Sequence, residues 1–333
     1  MAQKPKVALI GTGGTISAVG KGPLDLQDYT ETGRMLHADE LLARFPDVAS
    51  VADVTPVRFR AVPSTAISFP EWKEVVLLAD KLVTEQPGLA GIVVNHGTAT
   101  LEETAYALSL TAKVPVPIVL VGAQRPSSAL STDAGLNLVN AVRTAASPDA
   151  RGLGVLVVLN DEIHAAREVT KTSNFRLQTF RTPDFGALGH CDGDAVAFYR
   201  RPLRRAAPDT EFDIRTLERL PRVDIAYGHA GSDGTAVRAF VEAGAEGIVA
   251  AGLPPGMSTP ADYEALKAAA AGGVIVLQSS RAMSGRTYAN HRSRAGGFLA
   301  ADNLTPQKAR ILLALALTRT RDKDEIRRIF ATY

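Results

Sequence analysis

Three short segments carry hydroxyl or amine side chains whose types suit nucleophilic chemistry on an acyl group. Thr15 lies in a glycine-rich turn, Thr98 follows the apolar segment 91–95, and Lys171 stands between two threonines. A threonine hydroxyl attacks an acyl carbon only when a neighbouring group takes its proton. A lysine whose pKa is lowered by burial can act as that base. The three segments together therefore supply the residue types that acyl transfer to a threonine requires.

Each segment taken alone has a plainer interpretation. Thr15 would equally well cap a local turn, Thr100 is expected mainly as a helix cap, and a lone lysine such as Lys171 is usually a solvated surface residue. The turn at residues 10–16 also fails the dinucleotide-binding pattern, because Ile16 stands where that pattern requires its third glycine. A nucleotide-binding function is therefore disfavoured, whereas the role of Thr15 stays open on this segment alone.

The elements that must position these residues follow an alternating pattern. Apolar segments of strand length alternate with amphipathic helical patterns, which is typical of a mostly parallel sheet with helices on both faces. The strands predicted from these apolar segments are residues 7–11, 91–95, 117–122, 155–160, 224–227, 247–251 and 274–278. Residues 52–60 alternate like an exposed or edge strand. The first four strands lead into polar or glycine-rich loops, at the edge where parallel sheets bind ligands.

The length of the chain favours two domains, since single cores stop growing at about 250 to 300 residues and this chain has 333. We expect an α/β protein with a larger N-terminal, mostly parallel sheet and a smaller C-terminal parallel α/β domain. The predicted division is a catalytic domain at 1–195, a linker at 196–215 and a C-terminal domain at 216–333. The basic stretch 200–205 is expected to be a solvated part of the linker.

The sequence predicts the N-termini of two helices. Thr100 and Glu103 have the spacing of a capping box, in which each side chain binds the backbone of the other residue. Pro306 follows Thr305, and proline is favoured at the first position of a helix. We expect the helix that follows to turn residues 309–317 towards a core.

The composition excludes several classes of function. The net charge of +2 gives no reason to expect a nucleic acid or an anionic membrane as partner. No segment has the roughly 20 apolar residues of a membrane-spanning helix. The single cysteine, Cys191, and a start without the apolar stretch of a secretory signal favour a cytoplasmic location. The six histidines are scattered, so no metal site is expected.

Several ordered motifs resemble one known family over roughly residues 6–333. They are Gly-Thr-Gly-Gly-Thr-Ile at 11–16, His-Gly-Thr-x-Thr at 96–100, Val-Gly-Ala-x-Arg-Pro at 121–126, Arg-Glu-Val-Thr-Lys-Thr at 167–172, and a C-terminal helix beginning near 304. In their order and approximate spacing they resemble the bacterial-type L-asparaginases. Agreement at this many ordered motifs is much more specific than any one of them.

The resemblance implies a hydrolase that acts on a small amide through a threonine acyl-enzyme, with no cofactor and no metal. It implies homotetramers, or at least homodimers, in which a neighbouring subunit completes each site. By motif, it implies four catalytic residues, namely Thr15, Tyr29, Thr98 and Lys171. The substrate-binding residues that it implies are Ser64, Thr65, Gly97, Ala99 and Ala123, where Ser64 would hold a carboxylate and the backbone N–H of Ala123 an oxyanion. Tyr29 would lie on a mobile loop with hinges at Gly20, Gly22 and Gly33.

The chain departs from this pattern where the family holds the α-ammonium group of its substrate. Ala99 stands in place of an aspartate, and Thr65 in place of a glutamine. Met257 lies near the place of an asparagine, and residues 285–297 contain no acid where a neighbouring subunit usually contributes a glutamate. An unpaired ammonium group in an apolar pocket would cost several kcal/mol. We therefore expect asparagine as the default substrate, with an amide that lacks a free α-amine as the specific alternative.

Two other functions remain as alternatives. The first is a catalytically silent ligand-binding or assembly protein on the same scaffold, which the retention of Thr15, Tyr29, Thr98 and Lys171 argues against. The second is the glutamine-hydrolysing subunit of a tRNA amidotransferase, whose members share these motifs. Those subunits carry an additional N-terminal domain, which we do not expect here.

Overall fold

The computed structural model describes residues 3–32 and 34–333. The described chain divides into two compact units, Met1–Thr216 and Leu217–Tyr333. Each unit has its own sheet and its own covering helices. The predicted α/β class with a larger N-terminal and a smaller C-terminal sheet is therefore confirmed.

The first unit contains twelve described strands and five described α-helices. The strands are β1 (Lys6–Gly13), β2 (Ala18–Val19), β3 (Arg34–Met35), β4 (Asp53–Val62), β5 (Leu89–Asn95), β6 (Ile118–Val121), β7 (Val155–Leu159), β8 (Glu162–Ala165), β9 (Thr170–Lys171), β10 (Phe180–Arg181), β11 (Gly189–Cys191) and β12 (Val196–Phe198). The helices are α1 (Tyr29–Thr32), α2 (Ala38–Arg44), α3 (Phe69–Glu85), α4 (Leu101–Thr111) and α5 (Ala134–Ala146). Short 3-10 helices occur at Thr15–Ser17, Pro46–Ser50, Ser64–Ala66 and Pro148–Ala150.

Eight of these strands form one sheet in the order β12-β11-β8-β7-β6-β5-β1-β4. The strands from β4 to β7 in this order pair in parallel, whereas β8, β11 and β12 extend the sheet with antiparallel pairs. The central strands are buried along almost their whole length, which explains why their sequences are continuous apolar segments. The strand predicted at residues 52–60 is β4, at the edge of the sheet.

The register of the central strands brings their carboxyl ends together. Gly11 of β1 lies opposite Asn95 of β5, and Asn95 lies opposite Val121 of β6. The loops that follow these three strands therefore start side by side at one sheet edge. They are the loops that carry Thr15, Thr98 and Ala123.

The start of α4 differs from the predicted capping box. Thr100 occupies the cap position, but its side chain makes no cap hydrogen bond. Its hydroxyl instead donates to the carbonyl oxygen of Ser64, at 2.8 Å. The capping-box prediction was wrong because a partner distant in sequence binds the hydroxyl of Thr100.

Residues 196–215, expected as a linker, belong to the first unit. Residues 196–198 form β12, and the N–H of Ala207 donates to the carbonyl of Ser109 at the end of α4, at 2.7 Å. Phe212 is almost completely buried. Within the basic stretch, Arg201, Leu203 and Arg205 are exposed as expected, whereas the guanidinium of Arg200 donates to the Glu168 carboxylate at 2.6 Å.

The second unit is a four-stranded parallel sheet with helices. Its strands are β13 (Val223–Tyr227), β14 (Gly247–Gly252), β15 (Ile275–Ser280) and β16 (Leu299–Ala300), in that order across the sheet. Its helices are α6 (Thr235–Glu242), α7 (Pro260–Ala271), α8 (His291–Ala295), α9 (Pro306–Leu317) and α10 (Lys323–Thr332). Helix α9 begins at Pro306 and contacts β13 and β14 with a buried apolar face, as predicted. No described helix is both long and apolar enough to cross a membrane.

Candidate active site

The turn after β1 presents Thr15 at the sheet edge. Gly13 and Gly14 have φ angles of 103° and 80°, which glycine adopts without steric cost. Thr15 then begins a short 3-10 helix and is half-buried. The side-chain amide of Asn95, at the end of β5, donates to the carbonyl of Gly13 at 3.2 Å and to the hydroxyl of Ser17 at 3.0 Å. The neighbouring strand therefore holds the turn on both sides of Thr15, at the Gly13 carbonyl and at the Ser17 hydroxyl.

Tyr29 lies against Thr15. The phenol oxygen of Tyr29 is 3.0 Å from the hydroxyl oxygen of Thr15, and either can donate. Tyr29 begins α1 and is half-buried. The loop before it is held by the carboxylate of Asp25, which accepts from the N–H groups of Lys21 and Asp28 at 3.0 Å each. The contact between the Tyr29 and Thr15 hydroxyl groups therefore gives Thr15 a partner from a separate segment.

The expected hinges of this loop have different surroundings. The N–H of Gly20 donates to the hydroxyl of Ser128 at 2.8 Å, so the start of the loop is attached to the segment after β6. A side chain at Gly22 would meet open space. Gly33 lies outside the described residues. The hinge roles stay predictions.

Thr98 and Lys171 form the second pair of the site. Nζ of Lys171 lies 2.8 Å from the hydroxyl oxygen of Thr98, which is buried in the loop after β5. Burial lowers the pKa of Lys171, and the charge of the Glu102 carboxylate partly opposes this. A lower pKa increases the fraction of neutral amine at a given pH. A neutral Lys171 can accept the Thr98 proton across the same short contact.

The loops that carry the two pairs meet at glycines. A Cβ atom on Gly97 would lie 2.8 Å from the hydroxyl oxygen of Ser64 and 3.1 Å from Cα of Gly14. Ser64 is buried, and its carbonyl accepts the hydroxyl of Thr100. The absence of side chains at Gly14 and Gly97 therefore lets the backbone segments before Thr15 and Thr98 touch.

Ala123 lies in the buried start of the loop after β6. A Cβ atom on the preceding Gly122 would lie 2.9 Å from the methyl carbon of Thr98, so this loop adjoins the second pair. The carboxylate of Asp133 accepts from the N–H groups of Gln124 and Arg125 at 2.9 and 3.0 Å. These bonds fix the backbone next to Ala123, whose N–H is the expected oxyanion donor.

His96 holds the loop of Thr98 through hydrogen bonds and is not suited to act as a base. It is completely buried, and burial lowers its pKa to about 4. Its neutral ring lies 2.7 Å from the carbonyl oxygen of Gly97 through Nδ1 and 3.0 Å from the hydroxyl oxygen of Thr104 through Nε2. The indole N–H of Trp72 donates to that hydroxyl at 3.0 Å. The only consistent set of donors makes Nδ1 the protonated nitrogen, so the prediction of a satisfied buried histidine is confirmed.

The remaining expected binding residues are solvent-accessible. Thr65 and Ala99 are exposed beside Ser64 and Thr98, respectively. The methyl group of Ala99 offers no charge to a ligand amine. Met257 belongs to the second unit and is 53% exposed. The structure thus brings Thr15 to Tyr29, Thr98 to Lys171 and Gly97 to Ser64.

Sequence reasoning did not single out two residues that organise the site. Asn95 was identified only as the end of the predicted strand 91–95, and Glu102 was not named. The available signal for Glu102 was its position four residues after Thr98, in the first turn of a helix. Within residues 3–32 and 34–333, no group of three or more His, Cys, Asp or Glu side chains is arranged to hold a metal ion.

Family models match both units of the chain. The model for the asparaginase N-terminal domain matches residues 6–204, and the model for the glutaminase/asparaginase C-terminal domain matches residues 222–330. The chain belongs to the asparaginase family. The resemblance inferred from the motifs is therefore confirmed.

Known asparaginases match the chain along nearly its whole length. L-asparaginase 2 of Escherichia coli is 38% identical over 99% of this chain and 93% of the relative. The glutaminase-asparaginase of Pseudomonas fluorescens is 38% identical over 98% of this chain and 90% of the relative. A crystal structure of a probable cytoplasmic L-asparaginase from Campylobacter jejuni superposes with a TM-score of 0.93 at 37% identity, covering 99% of this chain and 100% of that asparaginase.

Proposed function

We propose that this asparaginase-type amidohydrolase cleaves a side-chain carboxamide through an acyl-enzyme on Thr15. The observation that carries the proposal is the 2.8 Å contact between Nζ of Lys171 and the hydroxyl of Thr98. It places an amine at the hydroxyl of Thr98, on the loop whose Gly97 touches Gly14 just before Thr15. A hydroxyl nucleophile next to such a base is the arrangement that covalent acyl transfer requires.

The reaction proceeds in two acyl transfers. The Thr15 hydroxyl attacks the carboxamide carbon, and its proton passes through the Tyr29 and Thr98 hydroxyl groups to the neutral amine of Lys171. The backbone N–H of Ala123 stabilises the negative oxygen of the tetrahedral intermediate. That intermediate collapses to a Thr15 ester as the amide nitrogen receives a proton and leaves as ammonia. Water, deprotonated by the Thr98–Lys171 pair, then attacks the ester and releases a carboxylic acid and the Thr15 hydroxyl.

The substrate is L-asparagine by default, and the surroundings of Thr98 support a related amide without a free α-amine. The exposed methyl group of Ala99 cannot pair with an ammonium group, and Thr65 next to Ser64 carries no charge either. Desolvating an ammonium group without a partner costs several kcal/mol. N-acylated asparagine and succinamate keep the carboxamide and a carboxylate but lack that group.

A product assay tests this function. Ammonia release is measured with L-asparagine, L-glutamine, their D forms, N-acetylasparagine and succinamate, for the wild type and Thr15→Ala. We expect turnover of at least one amide and a loss of at least about a hundredfold in the variant. Absence of turnover on the whole panel would favour the silent binding protein. A sub-millimolar KM for asparagine with inactive amine-free analogues would reject the amine-free amide and leave asparagine as the substrate.

We also propose an assembly and a location for the protein. We expect a homotetramer, or at least a homodimer, because the resemblance implies that a neighbouring subunit completes each site. Light scattering during gel filtration would give a multiple of the 35.2 kDa chain mass. A cytoplasmic location is supported by the likeness to the probable cytoplasmic L-asparaginase of Campylobacter jejuni. Cell fractionation of the native host tests it.

A further inference from the structure

Glu102 is a buried carboxylate that contacts the strand of the candidate base. Its side chain is 7% exposed and lies in the first turn of α4. One carboxylate oxygen, Oε1, accepts the hydroxyl of Thr170 and the backbone N–H of Lys171, both at 3.2 Å. A carboxylate at the start of a helix is favoured by the helix dipole, so its charge is tolerated there.

These bonds hold Lys171 at two points. The backbone of Lys171 is bound to Glu102, and its side-chain amine is bound to Thr98, four residues before Glu102. Both anchor points thus belong to one continuous segment, the loop after β5 and the first turn of α4. A side chain fixed at its backbone and at its tip loses most of its freedom, which keeps the amine at the Thr98 hydroxyl.

The strand of Lys171 belongs to a short hairpin. It is the two-residue β9, which pairs with the two-residue β10 through Phe180 opposite Lys171 and Arg181 opposite Thr170. Bonds between Thr172 and Thr179 continue the hairpin beyond β9. An isolated two-stranded ribbon is marginal in water even when it is longer. The bonds to Glu102 therefore attach this ribbon to α4.

The charge of Glu102 also acts on the amine. The charged groups near Lys171 on its neighbouring elements are Glu102 and Glu103 in the first turn of α4 and the exposed Arg181 on β10. The carboxylate of Glu102 raises the pKa of Lys171 against the larger lowering by burial. Because residue 99 is an alanine, Glu102 is the single acidic residue from Thr98 to Glu102. Its carboxylate therefore supplies the negative charge that this segment places near the Lys171 amine.

We propose that Glu102 is the positioning residue of Lys171, which it holds against Thr98 and whose charge state it controls. This inference rests on the proposed function, because it assigns Lys171 as the base. Neutral Lys171 is the active form, so kcat/KM rises with pH through the pKa of Lys171. Removing the Glu102 charge stabilises the neutral amine and moves that rise to lower pH.

Glu102→Gln tests this inference because it keeps an oxygen acceptor for Thr170 and Lys171 and deletes only the charge. We expect the rise of kcat/KM with pH, its acid limb, to move to lower pH by about half a unit to one unit. The plateau kcat should stay within about threefold of the wild type, and KM should be unchanged. Glu102→Ala removes the acceptor as well, and its plateau kcat should fall by at least about tenfold. Glu103→Gln, on the adjacent residue, is the matched control and should leave the limb in place.

Thr170→Val gives an independent result if Glu102 variants fold poorly. It deletes one of the two bonds to Glu102 without changing charge, so kcat should fall about threefold to tenfold while KM and the acid limb stay constant. An unmoved acid limb in Glu102→Gln, or full kcat in both Glu102→Ala and Thr170→Val, would overturn the role of Glu102. Full activity of Lys171→Met would instead remove Lys171 as the base and so reject the proposed function.

Discussion

Gly14 and Gly97 lie backbone against backbone. A Cβ atom added to Gly14 would be 2.1 Å from Cα of Gly97, far inside van der Waals contact. Gly14 also has a φ of 80°. This contact aligns the segment before Thr15 with the segment before Thr98, so it sets the separation of the two hydroxyl groups.

Gly14→Ala should therefore disrupt the site more than its strain alone explains. The positive φ costs roughly 1–2 kcal/mol for alanine, and the clash with Gly97 displaces one of the two loops. We expect kcat/KM to fall by at least about a hundredfold. Gly88→Ala is the matched control, because Gly88 has a φ of 84° and a Cβ atom there would meet nothing within 4 Å. Equal activity losses in the two variants would show that strain, not the contact, matters.

Tyr29→Phe removes one hydroxyl group and leaves the ring. Because that hydroxyl is 3.0 Å from the Thr15 hydroxyl, its loss should lower kcat by about a hundredfold with little change in KM. Steady-state kinetics measures both quantities. Tyr199→Phe, at an exposed tyrosine, is the control and should match the wild type. A Tyr29→Phe variant with wild-type kcat would exclude the phenol from proton transfer.

The neutral state of His96 makes stability depend on pH. Its pKa is about 4 in the folded protein and near 6.5 when unfolded, so the unfolded chain binds more protons between these values. The contribution of neutral His96 to the free energy of unfolding should be fully present above pH 6.5. The free energy of unfolding should fall by about 3 kcal/mol as the pH drops to 4. Urea unfolding followed by the fluorescence of Trp72, the single tryptophan, measures it.

His96→Gln should flatten this dependence. The variant is less stable at pH 7 because a buried network is broken, but it has no proton to bind at this position. His229→Gln, at an exposed histidine, should keep the wild-type slope. An unchanged slope in His96→Gln would mean that another group causes the loss of stability in acid.

Ala99→Asp should restore recognition of an ammonium group. The new carboxylate would pair with the α-amine of asparagine, so the ratio of kcat/KM for asparagine to that for succinamate should rise by at least about tenfold. Ala99→Asn adds a side chain of the same size without the charge and should change the ratio much less. Equal ratios in both variants would place the determinant of amine recognition elsewhere.

The sequence predicted most of the first sheet because its strands are buried on both faces and so appear as continuous apolar segments. It also predicted that the loops after β1 and β5 lie at the same edge of the sheet, since parallel strands end at one edge. It did not predict that Thr100 would bind Ser64 or that Glu102 would bind Lys171, because those partners are distant in the chain. The packing of residues 196–215 was missed for the same reason, as their composition resembles that of a linker.

The acyl-enzyme itself tests the central claim most directly. A reaction with a substrate found in the product assay is quenched in acid, digested and analysed by mass spectrometry. We predict an acyl group on the peptide that contains Thr15, and no such adduct with Thr15→Ala, whose turnover is lost. An adduct on another residue, or turnover by Thr15→Ala within about tenfold of the wild type, would contradict the account.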